Sequence, residues 1–424
     1  MTLPRRDLLR LSIAAAAAVL APRLARAQSP APGEDAPGAI EALRPLTEGV
    51  TPISVDEHRA RIARAQALMR SENLDAVVLA SGSGLAYFTG AEWGLSERFF
   101  GAVITREGDP AWVTPAFEKA RALEQIEIGT DVRAWEEHES PSALVASILR
   151  ERKATGRVGI EETMPFTFAN EIGAALPAAR LVSATAVTAG CRVIKDAHEL
   201  ALMRRANEIT MRAHRAVFQS LREGMTQGQA SALSAQAHRK LGMNGGALVL
   251  FGPDAAFPHG TTRPRPLRRG DVVLIDGGGR LHGYASDITR TGVFGAPPTE
   301  RQRRVWDVVR RAQQAAFEAA RPGVEAQSVD AAARRVVEEA GFGPDYKHFT
   351  HRVGHGIGMD GHEWTYFVRG NTTKLRPGMC FSDEPGIYIP GEMGVRHEDC
   401  IFITETGAEN FTKWTGSPED PAVV

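Results

Sequence analysis

Two rhythms of apolar and polar positions divide the chain. Between residues 55 and 188, short apolar runs alternate with helical stretches. Leu74-Asp75-Ala76-Val77-Val78-Leu79-Ala80 predicts a buried strand, Gly82 to Gly90 a loop, and Gly101-Ala102-Val103-Ile104 with Ala111-Trp112-Val113 a pair of hairpin strands. Ser142 to Lys153 repeats at helical spacing, and Arg157-Val158-Gly159-Ile160-Glu161 returns to a strand. Such alternation implies an α/β layer. Beyond it, Ala197 to Leu221 carries apolar residues at helical spacing behind a capping Asp196, and Thr299 to Ala320 runs from a capping threonine to Pro322-Gly323. Both helices are expected to cover the back of a second sheet, to which the run Val272-Val273-Leu274-Ile275 belongs.

That run ends in Asp276, and a carboxylate on a buried strand is costly unless it is paired or meets a cation. Gly277-Gly278-Gly279 is expected to turn the chain. Tyr284 to Thr291 then returns as a strand with Asp287, Thr289 and Thr291 on one face, since strand side chains alternate. Asp276 and Asp287 can thus face each other. Asp before Gly alone is an ordinary turn starter, a reading that leaves Asp287 unexplained.

His355 lies in His351-Arg352-Val353-Gly354-His355-Gly356-Ile357-Gly358, where glycines at alternate positions disfavour a helix. Two histidines four apart suggest the helical zinc motif of metalloproteases, but that motif needs Glu after the first His, and Arg352 stands there. Glu384 in Phe381-Ser382-Asp383-Glu384-Pro385-Gly386-Ile387-Tyr388 and Glu398 in Gly394-Val395-Arg396-His397-Glu398-Asp399-Cys400-Ile401 sit in strand-like stretches next to turn residues. Each alone reads as a solvated residue. Taken together, Asp276, Asp287, His355, Glu384 and Glu398 form an oxygen-rich set with one nitrogen, suited to Mn, Fe, Co or Zn rather than Ca. Four negative charges balance two divalent cations. A nucleotide-binding reading of Val272 to Gly279 fails, because the sixth position of the glycine fingerprint is His282 and the sequence continues as a strand.

With these stretches in this order and spacing, the chain resembles the pita-bread metallopeptidases, a family of Xaa-Pro aminopeptidases, prolidases, methionine aminopeptidases and metal-free creatinases. The resemblance covers about residues 55 to 415 and includes Leu85-Ala86-Tyr87-Phe88-Thr89-Gly90 and Gly283-Tyr284-Ala285-Ser286-Asp287-Ile288-Thr289-Arg290-Thr291. It implies an α/β (α+β) chain: a creatinase-like N-terminal domain over 55–188, then a pseudo-symmetric pita-bread catalytic domain over 189–424. It further implies two divalent ions, manganese foremost, with Co, Fe or Zn as alternatives. Asp276 would chelate one, His355 and Glu384 the other, with Asp287 and Glu398 bridging. A hydroxide shared by the two ions would attack the scissile carbonyl, and Glu384 would accept its proton. His362 would donate to the oxyanion and His259 would orient the substrate. His351 matches a further histidine of the Xaa-Pro group, and Arg396 an arginine that pairs with the ligand carboxylates. Cys400 and His397 depart from the family pattern without removing a ligand.

The resemblance also bounds the substrate. Methionine aminopeptidases generally lack the long N-terminal domain, and creatinases lack the metal ligands. The expected partner is a proline-containing peptide, cleaved in the manner of aminopeptidase P or prolidase. An Xaa-Pro bond has no N–H and a restricted preceding residue, so it needs a dedicated site. Glu363 to Asn371 is the candidate region that senses peptide length, where Arg369 reads either as a surface arginine or as a binder of a terminal carboxylate. The alternatives are a hydrolase or lyase of a small non-peptide substrate on the same fold and a non-catalytic binding protein. Many relatives are homodimers, so a homodimer is compatible.

The N-terminus reads as an export signal. Pro4-Arg5-Arg6-Asp7-Leu8-Leu9-Arg10 precedes an apolar, alanine-rich run from Leu11 to Ala21 and the small-residue site Ala25-Arg26-Ala27, so residues 1–27 form a twin-arginine signal peptide. The run is too short to span a membrane. Residues 28–54, rich in Pro, Ala, Gly and Glu, are expected to be a flexible linker, and the destination is periplasmic or secreted. Removal of five Arg and one Asp leaves a net charge near −5, which gives no case for nucleic acid or a stable membrane anchor. The basic run Arg263 to Gly270 is expected to be a solvated loop. Cys191, Cys380 and Cys400 suggest no disulfide framework.

Overall fold

The computed structural model describes residues 38–424, so the signal peptide and the start of the linker lie outside the described residues. Residues 38–54, expected to belong to a flexible linker, are instead docked: Ile40 is fully buried against Ala206, Ile209 and Ala213, and Leu46 N–H donates to Leu241 O. Leu43, Leu46, Val50 and Ile53 supply enough apolar surface to hold the segment down, which a reading of its Pro and Gly content missed.

The first sheet has six strands in the order Val132–Trp135, Ala111–Pro115, Gly101–Thr105, Ala76–Ala80, Arg157–Ile160 and Arg180–Ser183. Gly101–Thr105 runs against both its neighbours, and the other pairings are parallel. Val77 and Leu79 enter one apolar cluster and Ala76, Val78 and Ala80 another, so the central strand is buried on both faces, as its continuous apolar run required. The stretch Gly82 to Gly90 is not a loop. Ser83–Thr89 is a helix between Gly82 and a left-handed Gly90, held by the burial of Leu85, Tyr87 and Phe88.

The rest of the chain builds two larger sheets, each with a helix pair on one face, and a two-stranded hairpin of Gly386–Ile389 and Met393–Arg396 that carries Tyr388 and Arg396. Asn244–Phe251, Val272–Leu281 and Ile288–Val293 form an antiparallel set; Val273 and Ile275 pack with Val217 and Ala230 of the Ala197–Ser220 and Gln227–Lys240 helices and with Leu221, which follows the first of them. Asp196 and Thr299 cap their helices in reciprocal capping boxes with Glu199 and Gln302. The second sheet orders Glu363–Phe367, Gly354–Gly356, Cys380–Asp383, Asp399–Ile403 and Ala408–Asn410, and Phe381 and Ile401 pack on the Glu300–Ala319 and Ala326–Val337 helices. Alternation then turns Asp276, Glu384 and Glu398 to the faces away from these helices. A two-residue bridge, Thr289 with Glu398, joins the two sheets.

The glycine run does not turn the chain. The Val272–Leu281 strand continues through Gly277-Gly278-Gly279, and the reversal comes at His282-Gly283. A Cβ on Gly278 would stand 1.9 Å from Ser286 O. The glycine therefore serves a close crossing that places Asp287, which sits in the gap between Tyr284–Ala285 and Ile288–Val293. Cys380 and Cys400 lie on paired strands, and all three cysteines are free and buried. Among the described residues no helix is long and apolar enough to cross a membrane.

Candidate metal centre

Asp276 is the first residue of its strand to leave the core, and its carboxylate is held at both oxygens. Thr289, directly opposite in register, donates to Oδ1 at 2.7 Å, and Arg396 Nη2 meets Oδ2 at 2.5 Å. Thr289 Oγ1 also lies 2.6 Å from Glu398 Oε2, so one hydroxyl spaces two carboxylates. His355 is fixed through its backbone, whose N–H donates to Ser382 Oγ, and through Nδ1, which faces Gly356 O at 3.1 Å. A carbonyl partner places the proton on Nδ1. Nε2 then points at acid groups, 3.2 Å from Glu384 Oε1 and 3.9 Å from Asp287 Oδ2.

Three sets of ligand atoms converge, each within 4.8 Å: Asp276 with Asp287 and Glu398, His355 with Glu384 and Glu398, and Asp287 with His355 and His362. Glu398 is common to the first two, and Asp287 links the first to the third. All five expected ligands are therefore in one place.

Electrostatics shows what the cluster favours. Burial, then the negative charge of Asp276, pushes the Asp287 carboxyl up to about 7. Burial and the neighbouring Asp287, Glu384 and Asp276 raise Glu398 well above the usual range. Glu384 goes the other way: burial alone would raise it, but His355, His351 and Arg396 beside it hold it down, at about 2. His355 is raised against its burial by Glu384 and Asp287. A site that disfavours its own carboxylate charges and aims an imidazole lone pair at them fits a cation, and its one nitrogen among oxygens fits a transition divalent ion.

The remaining expected residues divide. His362 stacks on His355, with ring centroids 3.7 Å apart and planes 14° apart. Burial and the adjacent His355 lower its pKa, so it is a neutral ring with one N–H to give. His351 accepts at Nε2 from Tyr388 Oη (2.7 Å), donates from Nδ1 to Arg352 O, and comes within 4.0 Å of Glu384. His259 is exposed beside Pro258, whose carbonyl O lies 3.4 Å from Arg396 Nη2. Arg369 is a surface arginine, the other reading of its position: it pairs with Asp345 at 2.7 Å, both side chains more than half exposed. Besides Arg396, Arg352 stands near the site, where its charge acts on His362. It lies 4.1 Å over the ring of Tyr366, which stands directly across from His355, and no carboxylate pairs with it among the described residues.

Sequence reasoning missed Tyr388, which accepts from Arg396 and donates to His351, so that one network runs from Asp276 to His351. It named Thr289 only as a face-mate of Asp287; the alternation that made it one was the available signal. The two departures from the family pattern are both buried. Cys400 Sγ donates to Asp287 O at 3.1 Å, whereas His397 packs edge-on against Trp306.

Comparison with known proteins agrees with this geometry. Residues 201–405 match the model of metallopeptidase family M24, and residues 61–194 match the creatinase/prolidase N-terminal domain. A probable dipeptidase PepE of Mycobacterium tuberculosis is 39% identical over 358 residues, covering 82% of this chain and 92% of that protein. The Xaa-Pro dipeptidase of Lactobacillus delbrueckii subsp. lactis is 33% identical, covering 82% of this chain and 95% of its own. The crystal structure of dipeptidase PepE from Mycobacterium ulcerans superposes with a TM-score of 0.80 at 35% identity, over 88% of this chain and all (100%) of that one. The fold is thus a creatinase-like N-terminal α/β domain followed by a pita-bread catalytic domain, and the chain is a member of metallopeptidase family M24.

Proposed function

We propose that this metallopeptidase hydrolyses Xaa-Pro bonds at peptide N-termini and that dipeptides are its preferred substrates, with two divalent ions, manganese first, between the carboxylates. The observation that carries the reading is the pair of three-ligand sets sharing Glu398, with His362 stacked beside them. Ions held there would supply Lewis acidity and a water activated at neutral pH. The chain's own residues do the rest. Glu384, ionised at neutral pH, is placed to take a proton. Neutral His362 offers an N–H to the oxyanion of the tetrahedral intermediate. His259, on the loop beside Arg396, flanks the substrate.

Preference for dipeptides is supported by Arg352. Its guanidinium has an aromatic platform and, among the described residues, no acid partner, which suits the free carboxylate of an Xaa-Pro dipeptide. The names of the relatives, dipeptidase and Xaa-Pro dipeptidase, agree. The test is hydrolysis of Ala-Pro and Ala-Pro-Ala by the chain from Gln28 onward, stripped of metal and reloaded with Mn²⁺. Metal-dependent cleavage of Ala-Pro alone supports the proposal, and cleavage of the tripeptide makes the protein an aminopeptidase. Cleavage of neither, with two ions bound, moves the search to small non-peptide C–N or C–S compounds. Export by the twin-arginine route to the periplasm belongs to the same reading: Arg5→Lys with Arg6→Lys should leave the protein in the cytoplasm, and unchanged periplasmic levels would refute it.

A further inference from the structure

The loop that carries His362 is closed on itself and tied to the N-terminal domain by buried charge. Glu363 begins its strand opposite Gly356, the residue after His355. Its side chain is only 6% exposed, and its Oε1 accepts the Asp360 N–H at 3.2 Å, so Asp360-Gly361-His362-Glu363 is a pinned four-residue span. Lys195 Nζ holds Oε2 at 2.9 Å, and Arg192 Nη2 reaches Oε1. The same Arg192 nitrogen meets Asp360 Oδ2 at 2.6 Å, where Ser83 Oγ also donates at 2.6 Å, and Arg192 Nη1 lies 3.2 Å from Ser83. One guanidinium therefore grips both ends of the span. Space is tight as well, since a Cβ on Gly358 would stand 2.7 Å from both Glu363 Oε2 and Lys195 Cε.

Burial alone would raise the Glu363 carboxyl, yet Lys195 and Arg192 hold it down, at about 2. Two cations facing two anions is a balanced set that rarely adds net stability compared with apolar packing. Such a set gives a defined geometry, and catalytic side chains need placement within about 0.5 Å.

We infer that Arg192 and Lys195, at the junction of the two domains, are positioning residues for His362, and that with Ser83 of the N-terminal domain they hold the oxyanion donor of the catalytic domain in place. The inference rests on the role given to His362 above. Ser83 belongs to the N-terminal domain and Arg192 to the last residues that match its model, 61–194; neither touches a ligand of the metal cluster, so they act through Asp360 and Glu363.

Three variants test this: Arg192→Met, Arg192→Lys and the milder Asp360→Asn, made at a partly buried position that leaves the buried Lys195–Glu363 pair intact. In Mn²⁺-loaded protein, Arg192→Met should lower kcat/KM for Ala-Pro about 10- to 100-fold. Its affinity for a phosphinic dipeptide analogue, which mimics the tetrahedral intermediate, should fall in proportion. Affinity for proline and the bound-metal count should hold. Arg192→Lys should restore part of the loss, and Asp360→Asn should show a smaller effect in the same direction. In metal-free protein, amide hydrogen exchange over residues 358–367 should quicken in both Arg192→Met and Asp360→Asn. Unchanged exchange there, or lost activity with undiminished analogue affinity, overturns the inference. If Arg192→Met does not fold, Asp360→Asn with Ser83→Ala decides. A wild-type chain that binds two ions but cleaves no peptide would overturn the peptidase reading, whereas the exchange measurement would still report whether the clamp orders the loop.

Discussion

Replacing Asp287 with Asn should have opposite effects on the metal-free and the metal-loaded protein. Asp287 is ionised at high pH among Asp276, Glu384 and Glu398, and its carboxyl is displaced from 3.8 up to about 7. Between those values the folded chain binds a proton that the unfolded chain does not, so the stability associated with this group is present at low pH and lost as pH rises through about 7. The full displacement corresponds to roughly 4 kcal/mol. With 21% of the side chain open to solvent, screening trims this to about 2–4 kcal/mol. Asn keeps the shape and removes the charge. Metal-free Asp287→Asn should therefore be more stable than metal-free wild type by about 2–4 kcal/mol at pH 8, and the gain should shrink to roughly 1–2 kcal/mol at pH 5. With Mn²⁺ the order should reverse, because wild type gains about 4 kcal/mol per ion at a thousandfold excess over Kd and the variant loses a shared ligand. Urea unfolding of both proteins, stripped and loaded, from pH 5 to pH 8 reads all four quantities. A stripped variant no more stable than stripped wild type at pH 8, or a gain that does not change with pH, would refute the idea that these carboxylates are held together for a cation.

The other predictions follow from the same geometry. Loading Mn²⁺ at pH 7 should release at least about one proton, since Asp287 and Glu398 are raised and must ionise to bind; calorimetry in buffers of different ionisation enthalpy counts it, and a count near zero contradicts the assignment. Thr289→Val removes the hydroxyl that spaces Asp276 and Glu398, and should weaken metal binding about 10- to 100-fold in a competition titration with a chelator while leaving the fold intact. Gly278→Ala puts a methyl 1.9 Å from Ser286 O; it should displace Asp287, cost roughly 3 kcal/mol or more in thermal unfolding, and reduce the bound-metal count. His362→Gln should lower kcat for Ala-Pro by about 10²–10³ with metal content unchanged; an equal fall in metal content would make it a ligand instead.

Why some of this was legible in the sequence and some was not has a physical cause. Asp276 was conspicuous because a charge at the end of Val272-Val273-Leu274-Ile275 is locally expensive, and its expense is explained only by something outside the run. The caps at Asp196 and Thr299 were legible for the opposite reason: their partners, Glu199 and Gln302, are three residues away, so the whole interaction is written in one stretch. Gly277-Gly278-Gly279 misled, since glycine marks either a turn or a close approach, and what approaches Gly278 is Ser286, a neighbour that only the folded register identifies. Gly82 and Gly90 were read as signs of a loop although they bracket a helix whose reason to form is the burial of Leu85, Tyr87 and Phe88. Arg192 and Lys195 went unremarked, and Glu363 was noted only as the start of a candidate substrate region, because each is satisfied by a partner 168 or 171 residues away, and a charged residue that is satisfied at long range looks the same in a sequence as one that is solvated. Ligands are found by their unexplained cost, so a sequence shows them readily. The residues that aim those ligands carry no such cost once folded, and the clamp around His362 could emerge only from three-dimensional contacts.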